Sequence, residues 1–256
     1  MKNKELLNDL LTNYLDLFDN EKTNIDYDKL KLNDDSLVYK FKLSVESLKV
    51  SVKILKKILN NNGIKLLKYH YSRAIIIFLK KIDLNIESSK SVKYYTENRS
   101  LSTGCIPYMC IKYFAYSDEI NISHDDLINF IYSNNEISEI EHLVNLYDGF
   151  IDDFMTPIKD YREDTANLVY TISNENRNLG VYESSILSLE HCRNILNKIN
   201  TKLNLLMNKI RSEDKKYLNV LTKSYYHDMF GIVIFHFHFQ ERYSDDMWLL
   251  KILNHD

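Results

Sequence analysis

Apolar positions recur with a helical period along almost the whole chain. Residues 3–18 place Leu6, Leu7, Leu10, Leu11, Tyr14 and Leu15 on one side of a helix. The polar run over 19–36 predicts a loop with some irregular structure. SLVYKFKLSVESLKVSVKILKKIL then predicts a helix that runs to NNNG, with Gly63 as the left-handed residue that ends it. A second long helix is expected over 64–82. Beyond a polar linker comes KSVKYYTENRSLSTG, where Gly104 and Pro107 interrupt the pattern. Ser123 before HDD has the chemistry of an N-cap. ISEIEHLVNLYDGFIDDFMTPIKDY reads as one long helix ending near Glu163, and two further helices are expected from Val181 and Lys215. No repeat or domain linker stands out, so the expected fold is one all-α domain over residues 1–256.

Composition narrows this little further. Five Gly and two Pro in 256 residues are too few for a turn-rich all-β fold. No apolar run is long enough to span a membrane, and MKNKELLNDLL lacks the apolar core of a secretory signal. A net charge of -3, with Lys-rich stretches balanced by nearby Asp and Glu, gives no case for nucleic acid. Cys105, Cys110 and Cys192 form no zinc-ligand spacing, and reduced thiols in a cytoplasmic protein are expected.

Candidate chemistry concentrates in IDDFMTPIKDYRED, residues 151–164. On a continuous helix Asp152, Thr156 and Asp160 stand at i, i+4 and i+8, a row of oxygen ligands about 12 Å long. Oxygen-only ligands suit a hard cation such as Mg²⁺, which is commonly completed by water and substrate phosphates. Lys159 lies beside them, placed to meet the same anion. A solvated acidic face is the plainer reading of such a short pattern. In FHFHF (235–239), His236 and His238 diverge by about 200° on a helix, which suits core or surface histidines better than a shared metal.

Asp152, Asp153, Phe154, Met155, Thr156, Pro157, Ile158, Lys159 and Asp160 resemble the second metal motif of class I terpene synthases, [N/D]-D-x-x-[S/T]-x-x-K-[D/E]. KYYTENRSLSTG resembles that family's Y-x-x-x-R-x-x-[S/T]-x-G segment, in which Arg99 would sense the diphosphate before a helix break at Gly104. FQERYSDD puts Arg242 and Tyr243 where the family has its terminal Arg-Tyr pair. NYLDLFDNE is the candidate for the first, Asp-rich motif, with Leu15 at the first acidic place and Asp16 and Asp19 at the other two. The resemblance runs over roughly residues 10 to 245, without the helices that normally precede the first motif, as in a truncated or minimal member.

That resemblance implies a class I terpenoid synthase-like helical bundle, a monomer or homodimer, that ionises a prenyl diphosphate, farnesyl diphosphate first. It implies metal binding by Asp152, Thr156, Asp160, Asp16 and Asp19, through three Mg²⁺ ions shared with the diphosphate, or Mn²⁺ in their place. Arg99, Lys159, Arg242 and Tyr243 would contact the departing anion, and Tyr95, Phe78 and Trp248 are candidates to line an aromatic pocket. Two alternatives stay open: a decayed, catalytically inactive helical protein, and a chain-elongating prenyltransferase, which would call for two full Asp-rich motifs.

Overall fold

A computed structural model describes residues 16–19, 35–83, 91–103, 106–162, 165–177 and 179–238. Those residues form ten α-helices and no strand. In chain order they are α1 Asp35–Ile58, α2 Asn61–Asp83, α3 Val92–Ser102, α4 Ile106–Glu119 and α5 His124–Ser133. There follow α6 Asn135–Met155, α7 Pro157–Arg162, α8 Leu168–Glu175, α9 Val181–Lys209 and α10 Lys215–His238.

The bundle is organised around α6. Ile137, Ile140, Val144, Leu146, Phe150, Ile151 and Phe154 are all buried, as are the polar Glu141, Asn145, Asp148 and Asp153 of the same helix. A helix buried nearly all round belongs at the centre of a domain. α9 and α3 pack along its sides, with α10, α8 and α5 completing the ring. α4 packs against α10 and meets α6 directly, where the Tyr113 hydroxyl donates to Glu141 at 2.9 Å. There Tyr113 crosses Tyr225 edge to face, with ring centroids 5.9 Å apart.

Three sequence expectations are corrected. The first helix stops at Ile58, and Gly63 sits in the first turn of α2, where its N–H donates to the Asn60 side chain at 2.8 Å. Its value is close packing: a Cβ there would lie 3.3 Å from both Leu59 and Phe114. Ser123 does precede α5, but its hydroxyl makes no capping bond. Most consequential, the long helix expected through Glu163 ends at Met155. Thr156 leaves the helix at φ -126 and ψ 27, and Pro157 opens the short helix α7. Pro has no N–H to continue the helix, and its ring drives the preceding residue out of the α region.

α3 ends at Ser102, with Thr103 as its C-cap, and α4 begins at Ile106. Gly104 and Cys105 themselves lie outside the described residues, as does the expected helix over 3–18 except for its end. No helix among the described residues is long and apolar enough to cross a membrane.

Candidate active site

The break at Thr156 places the site. Because α6 stops there, Asp152, Thr156 and Asp160 do not form one straight row. Asp152 stays on the last turn of α6, while the chain folds Asp160 back toward Thr156. The Thr156 hydroxyl lies 2.7 Å from the Asp152 carbonyl oxygen and 2.8 Å from Asp160 Oδ2. Asn167, the N-cap of α8, donates from Nδ2 to the same Asp160 oxygen at 2.7 Å and to the Asp153 carbonyl at 2.8 Å. Its Oδ1 accepts the Val169 N–H at 2.8 Å. Lys159 Nζ lies 3.2 Å from Asp160 Oδ1. Asn167→Ala is expected to cost about 1–2 kcal/mol through the lost cap, with a matching fall in Tm. It also frees Asp160, so divalent-cation affinity measured by titration should weaken together with stability.

Arg99 joins α3 to this cluster. Its Nη2 contacts Asp152 Oδ2 at 3.0 Å, Asp153 Oδ1 at 2.8 Å and the Gly149 carbonyl at 3.1 Å, while Nε donates to Asp153 Oδ1 at 3.1 Å. A Cβ on Gly149 would lie 3.1 Å from Arg99 Cγ and 2.5 Å from Thr103 Oγ1, so glycine lets α3 and its arginine lie against α6. Tyr95, one turn before Arg99, donates its hydroxyl to Asp153 Oδ2 at 2.6 Å. Asp153 is fully buried. Burial pushes its carboxyl up to about 6, against the opposing pull of the Arg99 charge and the Tyr95 hydrogen bond.

Asp152 behaves differently. Burial would raise its pKa, but the His236 contact and the Arg99 charge outweigh that and hold it below the usual carboxylate value. His236, near the end of α10, has Nε2 3.2 Å from Asp152 Oδ1. As the helical spacing implied, the two histidines part: His236 is buried and His238 exposed. One turn before Asp152 on α6, buried Asp148 acts electrostatically on Asp228 of α10, which pairs with Lys112 of α4.

Of the sequence-derived site residues, Arg99, Asp152, Thr156, Lys159 and Asp160 are brought together. The Asp19 carboxylate pairs with Lys68 of α2, and the Asp19 backbone N–H donates to the Asp16 carbonyl at 3.0 Å. Among the described residues no group of three or more His, Cys, Asp or Glu side chains forms a metal cluster. Arg242, Tyr243 and Trp248 lie outside the described residues, as does the Phe78 side chain. Tyr95, a candidate for the pocket wall, is buried with its hydroxyl engaged by Asp153. Sequence reasoning missed Asn167 and His236 as members of the site. The Tyr95 to Arg99 spacing of one helical turn was the readable sign that both side chains face the same carboxylate.

The donor set fits a hard divalent cation. Asp152, Thr156 and Asp160 all offer hard oxygens of the kind Mg²⁺ takes; the 2.8 Å between Thr156 Oγ1 and Asp160 Oδ2 is that of the hydrogen bond joining them. Asp152 is the most open member, with 39% of its side chain exposed.

No family model matches the sequence, and no curated protein matches it. Among solved structures, the fold is similar to that of 2-methylisoborneol synthase from Streptomyces coelicolor A3(2). One such structure, in complex with Mg²⁺ and 2-fluoroneryl diphosphate, superposes with a TM-score of 0.60 at 9% identity, over 86% of this chain. A second, with Mg²⁺ and 2-fluorogeranyl diphosphate, gives the same TM-score and identity. The chain spans 64% of the length of the first and 68% of the second. At this identity the likeness speaks to architecture, and the chain has the helical fold of terpene synthases.

Proposed function

We propose that this chain is a Mg²⁺-dependent class I terpene synthase, which ionises an allylic prenyl diphosphate and releases a cyclic or linear terpene plus diphosphate. Farnesyl diphosphate is the first substrate to test. The observation that carries the reading is the meeting of Arg99 with Asp152 beside the Thr156–Asp160 pair, in a fold shared with a terpene synthase. Asp152, Thr156 and Asp160 would hold Mg²⁺, with Asp16 and Asp19 as further ligands and up to three ions in all. Bound Mg²⁺ would supply Lewis-acid stabilisation of the leaving diphosphate.

The chain's own residues then have separable tasks. Arg99 is anchored by Asp153, so its guanidinium is fixed in direction before any anion arrives. Lys159 stands beside Asp160 as a second cationic donor. Arg242 and Tyr243 are assigned, on the resemblance, to close over the departing anion and exclude water. On this reading the protein works in the cytoplasm as a monomer or homodimer. One observation favours a non-catalytic relative instead: Asp19 is held by Lys68, and Leu15 occupies the remaining acidic place of the first motif.

Incubation with geranyl, farnesyl and geranylgeranyl diphosphate, with and without Mg²⁺, separates the two readings. The synthase gives a Mg²⁺-dependent volatile product from at least one of them. A folded, helical protein that releases neither terpene nor diphosphate is the non-catalytic relative.

A further inference from the structure

We propose that His236 is a positioning residue, one that holds the Asp152 carboxylate in the orientation a divalent cation requires. This rests on the metal-site reading above. The His236 side chain is 0% exposed, and its Nε2 lies 3.2 Å from Asp152 Oδ1. Arg99 Nη2 approaches the other oxygen, Oδ2, at 3.0 Å, from a side chain only 10% exposed. Asp152 is thus approached at both oxygens from its buried side, by Arg99 and by the His236 ring, while 39% of its side chain faces solvent.

An ionised carboxylate offers about four acceptor positions. The two buried donors leave the outward-facing ones open to a ligand arriving from solvent. Asp152 has acceptor oxygens only, so a hydrogen bond from His236 calls for the proton on Nε2. Phe235 packs edge-on against the His236 ring, with centroids 5.6 Å apart and planes at 80°. α10 packs directly on α6, which delivers the imidazole across 84 residues of sequence to the last turn of α6. Arg99 alone would leave the carboxylate free to swing about a single anchor. Partners that orient a ligating group in this way typically set metal affinity by about 10–100-fold.

The test is a Mn²⁺ titration of the full chain, read by electron paramagnetic resonance of free Mn²⁺, with circular dichroism melts alongside. His236→Phe removes the donor and should weaken Mn²⁺ binding by about 10–100-fold. His236→Gln carries an amide N–H to the position of Nε2 and should bind within a few-fold of the wild type. His236→Asn has the same amide on a shorter arm and should bind as weakly as the Phe variant. If the Phe variant does not fold, the Gln and Asn pair decides. Equal Mn²⁺ affinity in the wild type, Gln and Asn variants overturns the inference, as does a Gln variant as weak as Asn. Absence of Mn²⁺ binding by the folded wild type instead overturns the metal-site reading, and the inference falls with it.

Discussion

Asp160→Ala is expected to abolish terpene formation, with turnover down by about a thousandfold or more. Lewis-acid stabilisation at a metal site amounts to several kcal/mol of the barrier, and each 1.36 kcal/mol is a factor of ten in rate. Asp160 is 6% exposed and is met by Thr156, Asn167 and Lys159; its removal takes an acceptor from one Asn167 N–H, while the Thr156 hydroxyl keeps the Asp152 carbonyl. Leaving such groups unmatched costs about 1–3 kcal/mol, which lowers Tm without unfolding the domain. Asp160→Glu keeps a carboxylate at the last place of the motif, which takes either acid, and should keep a measurable rate. The measurement is inorganic diphosphate release and terpene yield at saturating Mg²⁺, with a melt to show that each variant is folded. An Asp160→Ala protein that turns over at the wild-type rate would remove Asp160 from the chemistry.

The helical class was legible because the 3.6-residue period persists from end to end, and 256 residues hold only two prolines and five glycines. Where helices stop was harder to read. Pro157 was visible, yet a proline inside an apolar periodic run is compatible with either a kink or a full break. Tertiary bonds accompany the break here: Asn167 reaches back to the Asp153 carbonyl and to Asp160, contacts that pattern alone does not encode. Gly63 misled for a related reason. NNNG has the chemistry of a helix end, and the chain does turn there, but at Leu59 and Asn60, ahead of the glycine, so that glycine serves packing against Phe114. In the site, residues close in sequence were found by spacing: Asp152, Thr156, Lys159 and Asp160 in one segment, Tyr95 and Arg99 in another. His236 was passed over because its meaning lies in the α6–α10 contact, 84 residues away from Asp152 in the chain. Asp153 was read only as a member of the motif, although it is the buried anchor of Arg99.

That anchor should also govern stability. Asp153→Ala is expected to destabilise the fold by about 3–5 kcal/mol, the usual cost of removing one partner of a buried ion pair. Three donors lose this acceptor at once: Arg99, which keeps Asp152 and the Gly149 carbonyl, the Tyr95 hydroxyl at 2.6 Å and the Leu168 N–H at 3.3 Å. Domains of this class carry only about 5–15 kcal/mol in total, and each kcal/mol is worth roughly 2–4 °C at this size. A Tm lower by roughly 6–20 °C follows. Tyr95→Phe removes one hydrogen bond and leaves the ion pair, so its cost should stay near 1 kcal/mol. The pH dependence has a definite sign. Burial raises the folded carboxyl from 3.8 to about 6, so the native state holds this proton more tightly than the unfolded chain does. Its contribution to stability is therefore greatest below the unfolded value, declines as pH rises from about 4 to about 6, and is flat above that. Asp153→Asn cannot titrate, so melts across pH 4 to 7 should show the variant gaining on the wild type through that window and holding a constant offset beyond it. A difference that stays level across the window would mean that Arg99 keeps Asp153 ionised throughout. The anchor would then be a fixed charge pair, with no proton taken up between pH 6 and 4.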